Sequence, residues 1–261
     1  MRIDVYLTKN GLATSRTEAK AMIESGVIYV SGKQINKPSF DLDETIDNKI
    51  EVLGYNKKYV SRGGYKLECA INNFNFDIND RLAIDIGASS GGFTDCLLQR
   101  GTASVVAIDA GYGQLHESLR ADKRVTVIEH YNARELSLDV VGTKCKIVTE
   151  DVSFISQTYI IPRIAEIIED GGSFISLIKP QFECGPQGIG KNGIVINAAY
   201  RYLAVKRVIA CATENGFDCQ GLIQSPITGG DGNKEYLACF VKSNVITPKI
   251  DDKYIKKITS L

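Results

Sequence analysis

The sequence predicts a doubly wound α/β domain with a mostly parallel sheet, preceded by a small α+β domain. Three observations carry this expectation. From about residue 81 onward, short apolar runs alternate with segments of helical period. The first of those runs ends in an acid and a glycine turn, Asp85-Ile86-Gly87. Residues 2–53 read instead as helix, helix and then short strands.

In the small domain the first helix runs from about Ile3 to Asn10 and stops at Gly11. Thr14 or Ser15 caps a second helix, in which Ala19, Met22 and Ile23 recur at helical spacing before Gly26. Val27 to Val30 reads as a strand, Ser31-Gly32 as a tight turn, and Lys33 to Asn36 as the return arm before Pro38; Ile50 to Leu53 closes the unit. Arg16 and Lys20 fall one turn apart on a helix, with Lys33 at a nearby turn, so the domain presents a face able to meet phosphates. Charge alone leaves the alternative of ordinary solvated lysines and arginines open. The set Arg2, Asp4, Gly11, Ser15-Arg16, Ala19, Ile23, Gly26, Val30, Gly32 and Lys37-Pro38 resembles the S-four RNA-binding domain, a module fused to many RNA-modifying enzymes. That resemblance implies RNA contact through Arg2, Arg16, Lys20 and Lys33, and Arg62 is assigned the same role.

The expected organisation is a small domain over residues 1–54, a polar linker over 55–62, the α/β domain over 63–245 and a loosely held tail over 246–261. Within the α/β domain a helix over Tyr65 to Phe74 precedes seven strands: Arg81 to Ile86, Ala103 to Asp109, Val125 to Glu129, Cys145 to Glu150, Ser173 to Ile178, Asp218 to Gln224 and Tyr236 to Val241. Helices are expected over Gly91 to Arg100, Gly113 to Ala121, Gln157 to Glu169 and Asn197 to Asn215. No helix separates the last two strands, so the final one can enter the sheet antiparallel.

Composition excludes several classes. Thirty-one basic and 31 acidic residues cancel, so any polyanion must be met by a local patch. The seven cysteines are odd in number and scattered, with no metal-type or redox spacing, which points to a reduced, cytoplasmic setting and to no metal site. No apolar run approaches the roughly 20 residues of a spanning helix, and the first residues do not lead into a signal-peptide core.

The strongest local signal is Leu82 to Phe93, where a strand ends in Asp85 and the turn Gly87-Ala88-Ser89-Ser90-Gly91-Gly92 opens a helix at Phe93. Asp85 is placed to favour a cationic ligand such as a sulfonium with its amino group. Asp109, ending the second strand, is placed to bond both hydroxyls of a ribose. The turn lacks the middle glycine that a dinucleotide pyrophosphate requires, so a methyl donor fits better than a nicotinamide or flavin. Asn132 and Ala133, after the third strand, are expected at the adenine edge.

A ribose hydroxyl is a poor nucleophile at neutral pH, and its methylation calls for a base and a group that aligns the oxygen. Lys179 and Asp151 follow the fifth and fourth strands, where such sheets place their chemistry; Lys66 and Glu235 are available to complete a ring. Singly, each is an ordinary surface ion-pair residue. Together with Ser61-Arg62-Gly63-Gly64-Tyr65-Lys66-Leu67, Asp85 to Thr94, Gly111 to Leu115, Asp151 to Ser156, Lys179 to Glu183 and Gly232 to Tyr236, they make the chain resemble the TlyA family of ribosomal RNA 2′-O-methyltransferases, related to FtsJ-like enzymes. The departures are minor: Gly64 stands where alanine is common, and Ser90 where threonine is.

That resemblance implies a Rossmann-like class I methyltransferase fold with a mostly parallel seven-stranded sheet. It implies S-adenosylmethionine bound by Asp85, Gly87, Ala88, Ser89, Ser90, Gly91, Gly92, Phe93, Asp109, Asn132, Ala133 and Asp151, and a catalytic Lys66-Asp151-Lys179-Glu235 tetrad. It further implies ribosomal RNA, with a cytidine ribose as target, and ribosomal subunits as partners. The family has also carried a hemolysin label, which the absence of an apolar spanning segment argues against. A catalytically silent ribosome-assembly factor and a pseudouridylating enzyme compete with the methyl-transfer reading; the four tetrad residues weigh against the first and the donor turn against the second. The glycine-rich stretch from Glu183 to Ile194 reads equally as a lid or as a plain crossover.

Overall fold

A computed structural model describes residues 1–13, 15–24, 26–43, 49–53, 58–229, 232–247 and 249–261. Thr14 as a cap, and residues 55–57 of the expected linker, lie outside the described residues. The chain divides into two compact units, Met1–Lys58 and Tyr59–Leu261, each described by itself.

The first unit contains helices α1 (Ile3–Lys9) and α2 (Arg16–Glu24) and strands β1 (Ile28–Val30), β2 (Lys33–Gln34) and β3 (Ile50–Val52). Ser15 caps α2, its Oγ accepting from the backbone N–H of Glu18 at 3.2 Å. The helical period of α2 then turns Ala19, Met22 and Ile23 toward Ile3 and Leu7 of α1 and Ile28 and Val30 of β1. The strands form an antiparallel sheet in the order β2-β1-β3.

The second unit begins with α3 (Gly63–Phe74), β4 (Leu82–Ile86), α4 (Gly92–Gln99), β5 (Ser104–Ile108), α5 (Glu117–Arg120), β6 (Val125–Ile128), α6 (Leu138–Val141) and β7 (Cys145–Glu150). It continues with α7 (Ile161–Ile167), β8 (Ile168–Ile178), α8 (Pro180–Glu183), α9 (Ala198–Glu214), β9 (Phe217–Gln224), β10 (Tyr236–Lys242) and α10 (Asp252–Ser260). The seven strands order as β6-β5-β4-β7-β8-β10-β9, parallel except for β10, which runs antiparallel to both neighbours. Apolar layers cover both faces, so the strands read as near-continuous apolar runs. On one face Leu67, Ala70 and Leu97 pack on Ala83, Val105, Ile147 and Ile175. On the other Ile164, Val205 and Val208 pack on Ile84, Val148, Phe174 and Phe240. Strand order reverses between β4 and β7, and a crevice opens beyond the carboxyl ends of strands at such a switch point.

Three local expectations differ from the structure. The helix expected over Gly113 to Ala121 is reduced to α5, because the Asp109 and Glu129 carboxylates take the N–H groups of Gly111 and Gly113, and His116 caps the helix at its later start. The helix expected to Glu169 ends at Ile167, because Ile168 already pairs with Cys145 in the sheet. The end of the chain is not loose: Asp251 caps α10, which buries Ile255 in the core.

Asp85 also departs from expectation. Its carboxylate is fully buried and accepts from the hydroxyls of Thr94 at 2.6 Å and Thr149 at 2.9 Å, tying β4 to α4 and β7. It therefore stands behind the turn and does not reach outward to a ligand. Burial pushes this carboxyl up to about 6 against those hydrogen bonds, with the charge of Asp151 adding to the rise.

A carboxyl whose folded pKa exceeds its unfolded value holds its proton more tightly in the folded chain. This contribution is most favourable below about pH 3.8 and declines as pH rises to about 6. Asp85→Asn removes the titrating carboxyl and is expected to flatten the chain's stability between about pH 4 and 6, as read by denaturant unfolding. An unchanged pH dependence would count against a raised carboxyl.

Candidate active site

Two lysine–carboxylate pairs meet at the carboxyl edge of the sheet. Lys66, in the first turn of α3, lies 2.5 Å from Glu235, the residue before β10, and both side chains are nearly enclosed. Lys179, following β8, lies 2.6 Å from Asp151, which follows β7, and also donates to Ser153 Oγ at 2.8 Å. Pro180 accounts for the position of Lys179: proline has no N–H for the ladder and is pre-set for a first helical residue, so β8 gives way to α8 there.

Two cavities adjoin these pairs. The smaller, of 280 Å³, is lined by both lysines and Asp151 together with Arg62, Ser90 and Phe93. The larger, of 670 Å³, is lined by Asp109, Asn132, Ala133 and His130 among others. Gly87, Ser89, Asp151 and Ser153 line both, so the cavities meet beside the Lys179–Asp151 pair. Gly87 permits this junction: it has φ +80°, and a Cβ there would lie 2.5 Å from the carbonyl oxygen of Asp151. At Gly92 a Cβ would lie 2.9 Å from the backbone nitrogen of Gly64, so the absence of a side chain lets the segment before α3 cross the start of α4 and deliver Lys66.

The expected donor residues are distributed unevenly. Gly87 and Ser89 line both cavities; Ala88, Ser90, Gly92 and Phe93 line the smaller one. Gly91 lines neither, and a Cβ on it would strike Leu119 and Leu115, so its role is packing beneath the turn. Asp85 lines neither, for the reason given above. Asp109 accepts from Ser89 N at 2.8 Å and Gly111 N at 2.7 Å, which fixes the glycine turn against β5. Asn132 holds its loop by accepting from Arg134 N at 3.1 Å. Arg62 faces the smaller cavity.

Several neighbours carry no distinctive signal in the sequence. Phe154 stands 91% exposed at the larger cavity, with a strained φ of +63°. Tyr112 stacks on His130, with ring centroids 4.8 Å apart. Ser153 and Phe154 lie within the Asp151 motif and are legible only as its continuation. Glu150 is hidden as the last residue of an apolar strand. It is fully buried, and neither carboxyl oxygen has a hydrogen-bond partner among the described residues. Burial pushes this carboxyl well above the usual range; the charges of Glu183 and Asp151 add to that, and Lys179 opposes it. The glycine-rich stretch after Glu183 is pinned at its far end, where Asn233 accepts from Val195 N and donates to Gly193 O.

In the first unit, Arg2 and Arg16 both bond the buried carboxylate of Asp4. Lys20 forms an exposed pair with Glu24 at 3.7 Å, and Lys33 is exposed on β2. Among the described residues there is no cluster suited to a metal ion, and no helix is long and apolar enough to cross a membrane.

Comparison with known proteins agrees with this geometry. The model of the FtsJ-like methyltransferase family matches residues 59–242, and that of the S4 domain matches residues 1–45. The 16S/23S rRNA (cytidine-2′-O)-methyltransferase TlyA of Mycobacterium tuberculosis is 39% identical over 235 residues, 90% of this chain and 87% of its own length. A solved structure from Streptococcus thermophilus with a provisional hemolysin name is 40% identical, with a TM-score of 0.78 over 100% of this chain and 94% of that one. A solved structure from Listeria monocytogenes, provisionally named an S-adenosylmethionine-dependent methyltransferase, shares the fold alone, at 17% identity and a TM-score of 0.53 over 70% of this chain and 100% of that one. The chain thus belongs to the FtsJ-like methyltransferase family, in the group of S4-bearing members that includes TlyA.

Proposed function

We propose that this chain transfers a methyl group from S-adenosylmethionine to a ribose 2′-oxygen of ribosomal RNA, with cytidine as the target nucleoside and ribosomal subunits in the cytoplasm as partners. The observation that carries the reading is the placement of Lys179–Asp151 beside the junction of two cavities, with Lys66, paired to Glu235, on the wall of the smaller one.

The residues present fit the donor. Asp109, Asn132 and Ala133 would hold its nucleoside in the larger cavity, and the turn from Gly87 to Phe93 its amino-acid end in the smaller. When bound, S-adenosylmethionine supplies an activated methyl group. The chain's own residues manage the oxygen and its proton. Lys179 takes up or polarises the hydroxyl proton as the oxygen becomes nucleophilic, and Asp151 and Ser153 fix the direction of its amino group. Lys66, itself neutralised by Glu235, orients the ribose. Glu150, kept uncharged by burial, adds no second negative charge beneath the Lys179–Asp151 pair. Phe154, presented to solvent at the rim, offers a stacking surface for a base drawn out of its helix.

Lys179→Ala is expected to lower methyl transfer by about 10²- to 10⁴-fold while donor affinity by calorimetry stays within about twofold. Near-normal turnover would remove Lys179 from the reaction. Phe154→Ala is expected to reduce kcat/KM for RNA by about tenfold or more at unchanged donor affinity; equal kinetics would assign the base elsewhere. Gly87→Ala, which drives a methyl into the Asp151 carbonyl, is expected to weaken donor binding and transfer together. If the donor bound to the wild-type chain but no transfer to RNA occurred, the silent assembly factor would replace this reading.

A further inference from the structure

In the first unit, Asp4 is enclosed in the first turn of α1, yet two arginines from different places in the sequence reach it. Arg2 donates from Nε to Oδ1 at 3.0 Å and from Nη2 to Oδ2 at 3.1 Å. Arg16, at the start of α2, donates from Nη2 to the same Oδ2 at 2.8 Å. The two Nη2 nitrogens thus lie within two hydrogen-bond lengths of each other. One carboxylate faces two guanidinium groups, so the cluster keeps a net positive charge. Both arginine side chains remain about half exposed or more, and among the described residues neither uses all five of its N–H donors. Burial acts to raise the Asp4 carboxyl, but the hydrogen bonds from Arg16 and Arg2 outweigh it and hold the group below the usual range, so it stays ionised.

We propose that Asp4 is a positioning residue that holds Arg2 and Arg16 as a two-pronged clamp for a single phosphate of the RNA backbone. The inference rests on the RNA reading given above. A phosphodiester offers two oxygens to adjacent planar donors, and a fork held in place loses less freedom on binding than two independent side chains do. The acid therefore strengthens binding to a polyanion although its own charge opposes it. A simple charge count makes the opposite claim: neutralising Asp4 should tighten RNA binding.

The test measures binding of the full chain to a ribosomal RNA transcript by fluorescence anisotropy over a salt series, with thermal unfolding of each variant alongside. Asp4→Asn is expected to bind roughly tenfold more weakly than wild type, about the value of one charge-assisted hydrogen bond. The salt slope should fall by about 0.7–0.9 for each phosphate that the variant no longer neutralises. In an Arg2→Ala, Arg16→Ala background, Asp4→Asn should have no further effect, because the acid acts only through those two side chains. A loss from a general structural role would instead multiply with theirs. Arg16→Lys, a change at an exposed position that keeps the charge, should bind severalfold more weakly; it tests the clamp even if Asp4→Asn fails to fold. Unchanged or tighter binding by Asp4→Asn, multiplicative losses, or full affinity in Arg16→Lys would overturn the clamp. Failure of wild type to bind the transcript would overturn the RNA reading together with it.

Discussion

A lysine at the edge of a buried sheet is stable only when a carboxylate meets it, and removing either partner strands the other charge. In this chain that constraint operates twice within one crevice. Lys66–Glu235 joins α3 to the start of β10, and Lys179–Asp151 joins the ends of β8 and β7. The pairs therefore hold the site's walls as well as its charges. They differ in openness: the first is nearly sealed, the second partly reached by solvent.

The remainder of the site follows from how the backbone reaches these pairs. The strand order reverses between β4 and β7, so the crevice opens there, and Asp151 and Lys179 follow the strands on its far side. On the near side Gly87 allows the turn after β4 to touch the Asp151 carbonyl, and Asp109 secures that turn from β5. Asp85 works from behind, as a polar tie among β4, α4 and β7. A single acid-and-glycine segment thus shapes the cavity wall chiefly through backbone geometry, with side-chain contacts supplied by its neighbours.

Much of this is legible in the sequence because it is written in period and punctuation. Seven apolar runs, their alternation with helices and the missing crossover before the last strand predict the sheet, its mostly parallel course and the antiparallel β10. All four members of the two ion pairs stand out in their motifs, and the strand-end positions already set Asp151 beside Lys179. What escapes is tertiary in origin. Ile168 reads as helix until its pairing with Cys145 is known, and Glu150 reads as the end of a strand until its burial is known. Gly64 registers only as a departure from a familiar pattern; the ring of Tyr59 occupies the space a Cβ would need, 2.3 Å from its nearest atom. The end of the chain looks loose because its alternating charges show no clear apolar stripe, yet its fit beside α9 holds it: Arg201 bonds the carbonyl of Thr259 twice.

The crevice is assigned the delivery of a methyl group to a ribose oxygen. The most direct measurement is to incubate the purified chain with radiolabelled S-adenosylmethionine and ribosomal subunits that lack this modification, then locate the label by nuclease digestion and mass spectrometry. The account predicts label on a cytidine 2′-oxygen. Label on a base would contradict it, keeping the fold and removing the paired lysines from the chemistry assigned to them.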